Sequence, residues 1–432
     1  MRVLGMLCIA LLAGCASPDE TVAPSSDQPA DSWMPSADAH PLYGYPTVTT
    51  LHEDPARFPQ WSLTPEPADA GLDALEQLVH LAVPAHGLAI WGHLLFAGGQ
   101  AGPLHIVDLQ DPSAAEVVAT IDVPARDVAT IAYPDGRLVV VTVGGGDQAY
   151  AVDVTDPTHP MLLAEWTTAV TTHNVAVVPG SPVVVNAAFG GEITDIWDLS
   201  TPTDPVLLTD TASGPCHDIT FFITPEKQRG YCAKYGTHEI WDMADPANPV
   251  VLGSFDMPID LDRDARIPGT LDHTAIVNDD ATVLIIGDEA GGGAAPACFG
   301  EHHTPVGTRS ALHGSLWFYD LTDESSPVLR SWLSAPPTAM DGICTAHFGD
   351  VIPGTNHMTM SWYSAGTTLI DFSDLDHPTT KVHVDPSGVT AVAAGDALVP
   401  ASGLDGTWEA IEHQGYVITA EGVNGLQVFA RR

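Results

Sequence analysis

Along most of the chain, short apolar runs alternate with polar clusters rich in Gly, Pro and Asp, and one arrangement of the two returns repeatedly. Its plainest copy is Ile240-Trp241-Asp242-Met243-Ala244-Asp245-Pro246-Ala247-Asn248-Pro249-Val250-Val251-Leu252. An apolar pair runs into an Asp, a turn of the form Asp-Pro-x-x-Pro follows, and a second apolar run begins. Asp accepts backbone N–H bonds within a turn, while Pro fixes φ and cannot donate to a ladder, so the pattern predicts strand, tight turn, strand.

The unit returns at Ile106-Val107-Asp108-Leu109-Gln110-Asp111-Pro112, Ala151-Val152-Asp153-Val154-Thr155-Asp156-Pro157 and Ile196-Trp197-Asp198-Leu199-Ser200-Thr201-Pro202. Weaker copies are Phe318-Tyr319-Asp320-Leu321-Thr322-Asp323 and Leu369-Ile370-Asp371-Phe372-Ser373-Asp374. Counted from Asp108 through Asp153, Asp198, Asp242 and Asp320 to Asp371, the spacings are 45, 45, 44, 78 and 51 residues. A period in the forties with one all-β unit per repeat marks propeller blades.

Each repeat reads as four strands. In blade two they are Val128 to Tyr133, then Leu138 to Val143 after a Pro134-Asp135-Gly136 turn, then Ala149 to Val154, then Met161 to Trp166. Blade one covers His86 to Val123, blade three His173 to Ala212, blade four His217 to Asp256, blade five His273 to Leu333 and blade six His347 to Val384. The stretches Ala410 to Thr419 and Leu426 to Phe429 supply three strands of a seventh blade. Gln77 to Val83 offers the missing outer strand, and closing the ring this way removes free edges. The expected fold is an all-β, seven-bladed β-propeller whose last blade is completed by an N-terminal strand.

The repeated Ile/Val-x-Asp strand end followed by Asp-Pro-x-x-Pro resembles the bacterial LVIVD-repeat β-propeller proteins, and more closely their surface-anchored "choice-of-anchor B" branch. Supporting stretches are Asp272-His273-Thr274 with Gly287-Asp288-Glu289, Thr308-Arg309-Ser310, Ser361-Trp362-Tyr363-Ser364-Ala365-Gly366 and Gly422-Val423-Asn424-Gly425-Leu426. The resemblance covers about residues 76–432. It implies a secreted or anchored propeller and little about chemistry, since propellers host many functions. The sixth copy lacks the first Pro, and blade five is enlarged by an insertion at 290–313.

Residues 1–15 read as a lipoprotein signal peptide. Arg2 precedes an apolar run from Val3 to Leu12, and Leu12-Ala13-Gly14-Cys15 is the pattern in which Cys15 takes lipid and becomes the mature N-terminus. Ordinary secretion, with Cys15 incidental, is the alternative. Residues 16–75, rich in Pro, Ser, Ala and Asp, are too polar to offset ordering entropy and read as a disordered tether to the propeller at 76–432. Ala16 lacks the Asp that often retains lipoproteins on the inner membrane, so an extracytoplasmic site on the outer membrane or cell surface is expected.

A formal charge of −41 with three Lys excludes nucleic acid as partner and leaves the lipid as the only membrane contact. A monomer is expected. Once Cys8 leaves with the signal and Cys15 is lipidated, Cys216, Cys232, Cys298 and Cys344 remain, an even number suited to two disulfides in an oxidising compartment. Cys216 and Cys232 bracket the hairpin predicted over Asp218 to Gly230, which favours that pairing, and Cys298 with Cys344 follows by elimination.

Aligning the blades on His-x-apolar places His86, Asp127, His173, His217, His273, His347 and Trp408 in one equivalent slot, the start of the innermost strand. In a propeller that slot and the end of the second strand lie on one face of the disc beside the central channel. Five imidazoles are therefore expected around one mouth. Gly144-Gly145-Gly146, Phe189-Gly190-Gly191, Lys234-Tyr235, Asp288-Glu289 and Ser361-Trp362-Tyr363 join them, and the insertion with Cys298, Glu301, His302, His303 and His313 is placed over it. Imidazole and carboxylate together suit Zn, Cu or Fe, with His217, His273 and His347 the best ligands and His173 and His86 beside them. The competing reading has each slot residue hydrogen-bonding to the neighbouring blade, which Asp127 and Trp408 in the slot favour.

Asp260, Asp262 and Asp264 alternate on a loop and are a second cation candidate, for Ca²⁺, against the reading of a solvated acidic loop. Nucleophile elbows, phosphate loops and dinucleotide fingerprints are absent from the sequence. Trp197, Trp241, Trp317 and Trp332 fall in strands and read as blade packing. The sequence thus points to an envelope-anchored binding or interaction module, taking a protein or small-molecule ligand at a His-lined mouth. The alternative is a metal-dependent enzyme, of oxidoreductase type, using the same cluster.

Overall fold

The computed structural model describes residues 71–432 except 101, 189–192, 211–215, 235–236, 257–258, 261–264, 267–271, 290–302, 305–306, 309–313, 339–341 and 385–405. Its strands form seven four-stranded antiparallel sheets arranged as the blades of a ring, an all-β, seven-bladed propeller. The innermost strands are Gly87–Trp91, Asp127–Ala132, Thr172–Val177, Asp218–Ile223, Asp272–Val277, Gly349–Val351 and Glu409–His413. Second strands such as Leu138–Val143 are buried throughout, whereas outer strands such as Val250–Asp256 are largely exposed. That gradient is why the second strands read as unbroken apolar runs and the outer strands as mixed ones.

The repeated Asp residues act as the pattern predicts. At the end of each third strand in blades one to six, the Asp side chain accepts the N–H two residues on: Asp108 from Gln110, Asp153 from Thr155, Asp198 from Ser200, Asp242 from Ala244, Asp320 from Thr322 and Asp371 from Ser373. The register between third and outer strand slips at the same point in each of these blades, as between Ile106 and Val107 or Ile240 and Trp241. A bulge placed this way sharpens the local twist and lets each outer strand follow the curve of the rim.

The closing strand, expected at Gln77 to Val83, runs over Leu75–Leu81 and pairs antiparallel with Leu426–Arg431. Arg432 pairs with Glu76 at 2.6 Å, and Leu78, Val79, Leu81 and Val83 pack against a core shared by blades seven and one. Similar cores join other neighbouring blades: Trp317 of blade five packs with Tyr231 and Ile240 of blade four. Trp241 and Trp317 are buried, as their strand positions suggest, but Trp332 on an outer strand is exposed and lies 6.2 Å from Trp317.

Cys216 and Cys232 are disulfide-bonded with a Cα–Cα distance of 5.4 Å, as the hairpin Asp218–Ile223 with Gln228–Lys234 demands. Cys344 is also disulfide-bonded, and Cys298 lies outside the described residues. Among the described residues no helix is long and apolar enough to cross a membrane.

Candidate functional site at the propeller mouth

The slot before each innermost strand is held by the ladder of its own blade. His86, His217, His347 and Trp408 donate their backbone N–H to Gly98, Ala233, Ser361 and Ala420 at 2.6, 2.7, 3.1 and 2.8 Å, closing on the end of the second strand. His173 and His273 sit in bulges, between Thr172 and Asn174 and between Asp272 and Thr274. In blade two the equivalent bond is made by Arg126, to Val143 at 2.6 Å. Arg126, not Asp127, therefore occupies the slot. The stretch Val128-Ala129-Thr130-Ile131-Ala132 is buried on both faces, so alternation could not fix its register, and a one-residue slip exchanges the two side chains.

The slot side chains close into a ring. Ring centroids lie 4.7 Å apart for His173 and His217, 4.4 Å for His217 and His273, 4.0 Å for His273 and His347, 5.0 Å for His347 and Trp408, and 4.2 Å for Trp408 and His86. Arg126 completes it, donating from Nη2 to His173 Nε2 at 3.1 Å while its guanidinium stands 5.5 Å from the Trp408 ring. The five imidazoles read from the sequence thus do meet at one mouth. Gly422, at φ 58, brings its backbone against the Trp408 indole, where a Cβ would stand 3.1 Å from Nε1. Only a residue without a side chain tolerates both conditions easily.

One residue further along, a second layer ties blade to blade. Asp127 accepts the Val175 N–H at 2.7 Å, Asn174 donates to the His217 carbonyl at 2.8 Å, Asp218 accepts from Thr274 Oγ1 at 2.9 Å and Glu409 accepts the Leu88 N–H at 2.7 Å. Below this layer a cavity of about 330 Å³ is lined by Asp127, Asp218, Thr274, Phe348, Asp350 and Glu409 among others. The bonding expected of slot residues is therefore carried largely by their neighbours. Two imidazoles share in it: His217 Nδ1 lies 3.1 Å from the His273 carbonyl and His347 Nδ1 lies 2.5 Å from the Trp408 carbonyl. A carbonyl only accepts, so Nδ1 carries the proton in both rings and Nε2 is left with a lone pair whenever the ring is neutral.

Neutral is the state burial enforces. Withdrawal from water, reinforced by the Arg126 charge, pulls His86 down to about 3 and depresses His173. Burial pulls His217 down to about 4 against the lift of its bond to the His273 carbonyl. His273 and His347 are held well below the ordinary histidine range, first by burial. His273 Nδ1, His347 Nε2 and His86 Nδ1 have no hydrogen-bond partner among the described residues.

Two further side chains complete the mouth. Glu289, just past the second strand of blade five, places Oε2 4.0 Å from His273 Nε2 and Oε1 3.9 Å from His347 Nε2. Burial raises it to about 7, opposed by the Tyr363 hydroxyl and the Arg126 charge. Tyr363 donates to Glu289 Oε1 at 2.5 Å and lies against His347 and Trp408 at 4.8 and 5.2 Å. Its backbone takes φ 47, a left-handed conformation that costs a non-glycine residue of order 1–3 kcal/mol. His217, His273 and Glu289 each offer a donor atom, and the three atoms lie within 4.8 Å of one another.

No known family profile matches the chain, and no curated protein matches it.

The sequence places Glu289 and Tyr363 at the mouth through their strand ends but does not single them out. The signal for Arg126 is scarcity: with 14 Lys and Arg in 432 residues, a cation directly before an innermost strand stands out. Phe189-Gly190-Gly191, Tyr235, Glu301, His302 and His313 lie outside the described residues, and so do the side chains of His303 and Cys298. Asp262 and Asp264 also lie outside them. Asp260 is described by its backbone alone, in a ladder of Ile259–Asp260 with Ala265–Arg266.

Proposed function

We propose that the protein is an envelope-anchored propeller, a binding or interaction module that takes its ligand at the histidine-lined mouth. The observation that carries this reading is the mismatch within the ring. Interblade bonding uses one nitrogen of His217 and of His347, while buried nitrogens of His86, His273 and His347 make no hydrogen bond among the described residues. Leaving a buried polar atom unsatisfied costs about 1–3 kcal/mol, so a ring serving stability alone would satisfy or replace such atoms. Neutral imidazoles, the Arg126 cation, the Glu289 carboxyl and the Trp408 face together offer acceptors, donors and an apolar surface to one ligand.

Anchoring rests on Leu12-Ala13-Gly14-Cys15. Cys15→Ala is expected to move the protein from the envelope to the soluble fraction with its melting temperature unchanged. A variant that still partitions with the envelope into detergent overturns the lipid anchor. For the mouth, native mass spectrometry of protein released in mild detergent is expected to find a bound species that Arg126→Ala loses. A bare mass for the wild type, in an envelope extract that has seen neither chelator nor dialysis, overturns the binding reading.

A further inference from the structure

We propose that the mouth holds one divalent transition-metal ion, with Zn²⁺ as the test case, on His217, His273 and Glu289; this rests on the reading of the mouth as a binding site. The three donors come from blades four and five and lie within 4.8 Å of one another. Around a tetrahedral ion with bonds of about 2.0–2.1 Å, donors sit roughly 3.3 Å apart, so the gap closes by side-chain rotations of about an ångström. Two neutral imidazoles and one carboxylate are a ligand set that first-row dications accept while keeping a coordination position open.

The surroundings orient these donors as a metal site needs. His217 Nδ1 donates to the His273 carbonyl, which aims its Nε2 lone pair away from that bond. Tyr363 donates to Glu289 Oε1, which leaves Oε2, the oxygen 4.0 Å from His273 Nε2, to face the ion. Such outer bonds fix tautomer and ring orientation in metal sites. His347, 3.9 Å from Glu289 and tied at Nδ1 to the Trp408 carbonyl, is placed to follow as a further donor. On the other side of the ring Arg126 engages His173 Nε2, which removes that imidazole from the set.

The electrostatics are compatible with a dication. Among the described residues Arg126 is the one cation in the ring, and the Glu289 carboxyl offsets it. The ion takes up a nitrogen of a ring withdrawn from water, His273 being 1% exposed.

The test uses full-length protein in detergent, stripped with chelator and titrated with Zn²⁺ by calorimetry, with Co²⁺ absorption as a report on coordination. One equivalent is expected to bind and to raise the melting temperature. Glu289→Gln keeps the hydrogen bond to Tyr363 but removes the charge, and it is expected to weaken Zn²⁺ by more than the roughly 10–100-fold that loss of an outer partner costs. His273→Ala should do the same. His377→Ala, on an exposed His–Asp pair at 3.1 Å, should leave the affinity unchanged and so separates the mouth from adventitious surface binding. Absence of a saturable equivalent, or wild-type affinity in Glu289→Gln, overturns the metal site. If Zn²⁺ fails while a co-purified organic species is still lost in Arg126→Ala, the binding module stands and only the metal falls.

Discussion

Deleting residues 76–83 is expected to lower the melting temperature of the whole propeller by roughly 10 °C or more, read by calorimetry as one cooperative transition. Among the described residues the strand Leu75–Leu81 is the only covering on the edge of Leu426–Arg431, and it brings the beginning of the propeller to its end. Leu78, Val79, Leu81 and Val83 pack on the core that blades seven and one share. At about 1.5–3 kcal/mol per apolar side chain, reduced by their partial exposure, the loss amounts to roughly 4–8 kcal/mol. That is comparable with the entire stability of many domains, about 5–15 kcal/mol. Losing Glu76 adds little, because its pair with Arg432 is exposed. A truncated protein that melts where the intact one does would show that the ring is held elsewhere.

Why the ring was legible in the sequence and the chemistry less so follows from which forces each depends on. The blade repeat is written in turn residues that act locally. Asp108 or Asp242 captures an N–H two residues away, so the signal survives without knowledge of the rest of the chain. Ring closure was legible because the last blade lacks an outer strand and an apolar run precedes blade one. The convergence of His86, His173, His217, His273 and His347 followed from the same frame, since equivalent positions in a radial repeat point at one axis.

The register of blade two was not legible, because its innermost strand is apolar on both faces and periodicity carries no phase there. Hence the pattern puts Asp127 where Arg126 stands and leaves out the guanidinium that closes the ring. Glu289 and His273 stand at paired strand ends of blade five, but Glu289 joins His217 through tertiary geometry alone, as that distance depends on how blade five stands beside blade four. Blade six shows the opposite case. Its innermost strand Gly349–Val351 is too short for any period, yet His347 was placed correctly because its neighbours fixed the slot.

Asp127→Asn is expected to leave stability nearly unchanged at pH 4 and to raise it by up to about 4 kcal/mol at pH 8, measured by urea denaturation at the two pH values. Withdrawal from water in the channel wall raises the Asp127 carboxyl from 3.8 to about 7, outweighing its bonds from the Val175 and Val128 N–H groups. Asp218 adds repulsion and Arg126 opposes it, while Glu409 shares the same wall. A folded-state value above the unfolded one means that the stabilisation is complete below pH 3.8 and is lost as pH rises through about 7. Over that interval the unfolded chain ionises freely and the folded one resists. Asn retains the acceptor for Val175 without the charge, so the variant escapes the loss. Asp127 is half-buried beside a cavity of about 330 Å³, and water there reduces the gain, which is why the figure is an upper value. The imidazoles act in the opposite direction. His217, held at about 4, contributes stability above pH 6.5 that disappears as pH falls through 4, so the wild-type profile mixes two opposed slopes. Subtracting the variant isolates the Asp127 contribution, because the imidazoles are common to both proteins. A difference between variant and wild type that is the same at pH 4 and pH 8 would show that Asp127 is ionised throughout. The second layer would then be an ion-bearing ring rather than a set of proton-holding latches.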